Sequence, residues 1–154
     1  MTGRSFLKAL CLCVAIAGTL DISDALIFYG LRGVAPERLL QAIASGLLGP
    51  AAMHGGLRTA ALGLAIHYTI TLCWSALFLG AATKLTFLTR YAVCSGALYG
   101  VLIYLAMNFV ILPFTPVVGH PHHPTVIVVV NGVLALMLCM GLPIALITRR
   151  LLHN

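Results

Sequence analysis

Four apolar stretches, at about 6–29, 60–82, 91–112 and 125–147, occupy most of this 154-residue chain. Each exceeds the roughly 20 residues that a helix needs to cross a bilayer. Too little sequence remains between them for a separate water-soluble domain. With 61% hydrophobic and 8% charged residues, the chain is far more apolar than a soluble domain. The expectation is all-α: one integral membrane four-helix bundle spanning 1–154.

Basic residues orient the bundle. Arg4 and Lys8 precede the first span, Lys84 and Arg90 flank the turn between the second and third, and Arg149 and Arg150 follow the fourth. The opposite side carries Arg32, Arg38 and Arg58. The positive-inside rule then puts both termini in the cytoplasm of a bacterial inner membrane. The net charge of +6 is accounted for by topology, and no nucleic-acid partner is needed. Arg4, Lys8, the run Ala9–Gly18 and Ser23-Asp24-Ala25 also imitate a cleavable secretory signal. The apolar run continues through Leu26–Tyr29, which suits an uncleaved anchor better.

Cys11, Cys13, Cys73, Cys94 and Cys139 all fall inside spans. That placement suits small apolar side chains rather than disulfides or thiolate metal ligands.

Between the first two spans, 36–48 is amphipathic. Leu39, Leu40, Ile43 and Leu47 share one face, and Arg38, Gln41 and Ser45 the other. A helix of that length reaches roughly 20 Å, too short to span. It is expected to lie in the outer interface, with a re-entrant segment as the alternative. In the third span, Gly96-Ala97-Leu98-Tyr99-Gly100 is a GxxxG match that permits close helix approach. The partner is another span of the bundle, a second copy of the chain or another membrane protein. Pro113, Pro116, Pro121 and Pro124 keep the last outer loop extended, and Gly141 with Pro143 is expected to bend the fourth span.

The chemistry is concentrated in a few polar positions. Asp21 and Asp24 are two of three acidic residues, and both lie in the first span. Each costs on the order of 3 kcal/mol at mid-membrane, against about 0.3–0.6 kcal/mol returned by each Leu, Ile, Val or Phe. The eleven such residues of the span only just offset the acids, so the aspartates must be protonated, paired or hydrated. An intramembrane acid is a functional-site candidate by default. Counted from the outer ends, Asp24 is about five residues in, His67 about seven, Asn108 about four and Asn131 about six, so all are expected in the outer third. Ala9, Cys13, Ala17, Asp21 and Asp24 share a face, as do Gly96, Gly100, Tyr104 and Asn108. Asp21, Asp24, His67, Tyr104, Asn108 and Asn131 are therefore expected to converge inside the bundle.

Three readings of this layer stand side by side. It can be a hydrogen-bond network that only fixes helix packing in a structural or assembly protein. It can be an ion, proton or small polar ligand site, since two carboxylates and an imidazole titrate as a unit. Catalysis is the third, but no nucleophile or oxyanion motif stands beside the histidine. No cofactor is required by any motif. A divalent metal is the one candidate, through the layer or through His120, His122 and His123 in the outer loop, where neither cysteine nor acid completes a closed site.

The stretches Gly18-Thr19-Leu20-Asp21-Ile22-Ser23-Asp24-Ala25, Pro36-Glu37-Arg38-Leu39-Leu40-Gln41 and Tyr104-Leu105-Ala106-Met107-Asn108-Phe109-Val110 give the chain an arrangement that resembles small bacterial inner-membrane proteins with four spans. More distantly, spans two to four are similar to the YagU-like membrane family of unknown function, through a histidine in span two and a Pro-rich loop after span three. The resemblance implies class and location, and carries no activity.

Overall fold

A computed structural model describes residues 3–118 and 124–152. It is an all-α four-helix bundle, with no strand among the described residues. The four helices long and apolar enough to cross a membrane are span one (Ser5–Gly30), span two (Gly56–Ala82), span three (Ala92–Phe114) and span four (Val126–Leu151). Span one packs against spans two and four, and span three packs against span four. Large apolar side chains such as Leu98 and Phe109 stand 70% and 71% exposed. Water does not tolerate a belt of that kind on a monomer, but lipid does. The chain is a multi-pass membrane protein in contact with the bilayer.

Packing is tightest at the end that carries the termini. Ala9, Cys13 and Ala17 of span one are buried there against Phe78, Leu79, Ala82, Ala92, Met140, Ile144 and Ala145. Small residues let the backbones close up, and the Cys13 thiol reaches the Ile144 carbonyl at 3.8 Å. Tyr99 ties span three to span two by donating its hydroxyl to the Trp74 carbonyl at 2.7 Å. The GxxxG glycines serve packing within the bundle. Gly96 lies under Gly141 and Leu142, and Gly100 under Leu136 and Met137.

Spans three and four each contain a wide π-helical turn, at Ala106–Ile111 and Leu136–Gly141. Each ends two residues before a proline, Pro113 or Pro143. Proline cannot donate to the carbonyl four residues back, and its ring crowds that carbonyl. Widening the preceding turn relieves both problems. The expected disturbance at Gly141 and Pro143 therefore takes the form of a π turn.

The short amphipathic helix is Pro36–Leu48, and its docking reverses intuition from soluble proteins. Gln41 and Ser45 of its polar face are buried, while Arg38 stays exposed. Gln41 donates to the Gly56 carbonyl at 3.2 Å and to Glu37 at 3.1 Å, and Ser45 is fully buried. The Ser45 hydroxyl accepts from the Val118 amide at 2.7 Å and donates to the Ala42 carbonyl at 2.6 Å. Leu47, in contrast, is 69% exposed. In a bilayer the solvent for the outward face is lipid, so the polar groups find partners inside. Gly63 of span two makes the docking possible, because its missing side chain leaves room for the Leu40 carbonyl.

Candidate functional site

At the end opposite the core, spans one, three and four part around a cavity of about 220 Å³. Asp21, Asp24, Tyr104, Asn108 and Asn131 all line it. Five of the six polar residues singled out from the sequence therefore face one space. His67 of span two stands behind Asp21, with its Nδ1 4.0 Å from Asp21 Oδ2.

Helix spacing explains the arrangement. Asp21 and Asp24 are three apart on span one, which places them on one face. Asn108 sits in the π turn of span three, where its amide nitrogen donates to the Tyr104 carbonyl at 2.9 Å. Asn131 of span four donates to Asp24 Oδ2 at 3.0 Å. The Tyr104 ring lies over Gly132, where a side chain would block it.

The six residues occupy two levels rather than one. Asp24, Asn108 and Asn131 lie about five or six residues from the helix ends, roughly 8–9 Å deep. Span two begins at Gly56 rather than near residue 60, so His67 lies about eleven residues in, roughly 17 Å. It meets span one near mid-membrane, where its Nε2 donates to the Gly18 carbonyl at 2.9 Å. A carbonyl can only accept, so the proton of a neutral ring must sit on Nε2. That leaves the Nδ1 lone pair facing the Asp21 carboxyl. Beside this pair, Thr19 and Tyr68 share a hydrogen bond of 2.9 Å, and the Tyr68 ring packs over Gly18.

Several contributors were not singled out in the sequence. Ala25, Phe28 and Tyr29 complete the span-one wall of the cavity. They follow Asp21 and Asp24 at helical spacing, so the face of the acids already contained them. Arg32 lies just beyond span one's outer end and stacks on Phe28, one of the wall residues. Its guanidinium lies 3.6 Å from the Phe28 ring centre and donates to the Phe28 carbonyl at 2.9 Å. Among the described residues, no lysine or arginine lines the cavity.

Among the described residues, no three His, Cys, Asp or Glu side chains come together as metal ligands do. His120, His122 and His123, the outer-loop metal candidates, lie outside the described residues. No protein-family model matches the chain, and no curated protein or solved structure matches it.

Proposed function

We propose that this is a protein of the bacterial cytoplasmic membrane, with both termini inside, whose cavity binds an ion, a proton or a small polar ligand arriving from the outer side. One observation carries the reading. Three spans deliver two carboxylates, two carboxamides and two phenols to a single open space at the end away from the termini. Hydrophilic side chains that served packing alone would be expected to satisfy one another, and these leave room between them. The excess of basic residues on the terminal side supports the orientation.

The rival is a structural or assembly protein, favoured by the Asn131–Asp24 hydrogen bond. Calorimetric titration of the purified protein with protons and divalent cations separates the two. Saturable uptake by the wild type, lost in Asp24→Asn and in His67→Ala, is the expected outcome. Uptake unchanged in both variants, accompanied by lower thermal stability, would assign the polar groups to packing alone.

A further inference from the structure

The hydrogen bonds already made inside the cavity decide what is left for a ligand. Asn131 spends one amide N–H on Asp24 Oδ2, and Asn108 spends one of its own on the Tyr104 carbonyl. Each acceptor identifies the nitrogen, so each side chain keeps its carbonyl oxygen and the second hydrogen of its NH₂ group. Asp24 keeps its second carboxylate oxygen, and Asp21 keeps the one turned from His67. Among the described residues no protein donor reaches these four oxygens, and none of them is sealed from solvent, Ser75 Oγ being the one buried side-chain polar atom without a partner. The free groups are four acceptor oxygens, two of them on carboxyl groups, beside one N–H of each asparagine and the Tyr29 and Tyr104 hydroxyls. The two carboxyl groups and two carbonyl oxygens favour a ligand that donates several hydrogen bonds and carries positive charge.

Size bears on the class of cation. A cavity of 150 Å³ accommodates benzene, and this one is about 220 Å³. A bare metal ion would leave most of that volume empty, although the four oxygens are of a kind that ligates hard divalent cations, so Mg²⁺ is tested beside the amine. Apolar side chains of Ala25, Phe28, Val128, Ala135 and Leu136 make up much of the remaining wall. That surface suits methylene groups rather than a hydration shell.

We infer that the cavity takes a small organic cation, a primary ammonium on an aliphatic body of roughly six to nine non-hydrogen atoms in all. This rests on the cation-site reading above and names the class of ligand. The ammonium sits among the free oxygens of Asp21, Asp24, Asn108 and Asn131, and the chain lies along Phe28 and Leu136. The source is a soluble amine or the headgroup of an aminophospholipid.

The test is calorimetry on the full chain in phosphatidylglycerol nanodiscs, with n-pentylamine, tetramethylammonium, n-pentanol and Mg²⁺ as probes. Pentylamine is expected to bind saturably. Tetramethylammonium, which has no N–H, and uncharged pentanol should bind at least tenfold more weakly. Asp24→Asn should lower pentylamine affinity tenfold or more. Asn108→Ala, which leaves the Asp24–Asn131 bond in place, should lower it severalfold and serves if Asp24→Asn does not fold. Competition by added phosphatidylethanolamine would identify the lipid as the source, and its absence a soluble amine. Equal binding of pentanol and pentylamine, or affinity indifferent to both substitutions, overturns the inference. Uptake of protons or Mg²⁺ that depends on Asp24, without amine binding, would sink the amine and leave the cation site standing. No binding of any probe would remove both.

Discussion

Gly100→Val is expected to unfasten span three from span four. A side chain at Gly100 would enter the backbone of the facing helix, meeting the Leu136 carbonyl and approaching the Met137 nitrogen at 2.6 Å. Backbone cannot swing aside as a flexible side chain does, and both residues belong to the π turn. Overpacking usually costs about 1–3 kcal/mol, and obstruction by main chain should fall at or beyond the top of that range. For a chain of this size about 3 kcal/mol corresponds to roughly 6–12 °C in the thermal midpoint. Gly80 supplies the control, because a side chain there meets nothing within 4 Å. Gly80→Val should melt close to wild type in the same detergent. Equal melting of the two variants would mean that spans three and four do not pack through Gly100.

The second large effect concerns Asp24 and Asn131 as a pair. Asp24→Leu leaves the Asn131 amide without its protein acceptor, with only water in the open cavity to replace it. A fully buried orphaned donor costs about 1–3 kcal/mol and one that water reaches costs less, whereas replacing both partners by apolar groups is often near neutral. Asp24→Leu should therefore lower the melting temperature, and Asp24→Leu/Asn131→Leu should recover most of the loss. Cation binding should stay lost in both. Stability and binding would then separate cleanly, which a purely structural pair would not permit. Should the double variant melt no higher than Asp24→Leu, the hydrogen bond is not what Asp24 contributes to the fold.

Hydropathy located the four spans to within a few residues because lipid demands about 20 apolar residues from any helix that crosses it. The bounds of the amphipathic helix were equally plain, since Pro36 opens it and Gly49 closes it with a positive φ of 65°. Its orientation was harder to anticipate. Periodicity separates Leu39, Ile43 and Leu47 from Gln41 and Ser45, but it does not say which set meets protein. Gln41 and Ser45 turn inward because their partners are the Gly56 carbonyl and the Val118 amide, contacts invisible to local sequence.

The polar positions could be read from cost alone, whereas their depths could not. Gly55 and Gly56 look like a loosened linker. Gly56 takes a φ of 60° and opens span two at once. That early start carries His67 about one turn deeper than a span beginning near residue 60. The π turns leave no trace in hydropathy, although a proline two residues downstream accompanies both. The spacing of polar groups along span three was legible, and the way Asn108 spends its amide hydrogens was not.

Ligand binding requires water and solutes to enter the bundle between spans one, three and four from the side opposite the termini. Ala25 lines that entrance, whereas Leu98 looks outward with 70% of its surface exposed. The most direct measurement is thiol labelling of Ala25→Cys in intact cells, in a chain whose five native cysteines are replaced by alanine. A membrane-impermeant cationic thiol reagent added outside should modify Ala25→Cys and leave Leu98→Cys unmodified. Failure to label Ala25→Cys from outside, or labelling only after the inner face is opened, would contradict an outward-facing cavity.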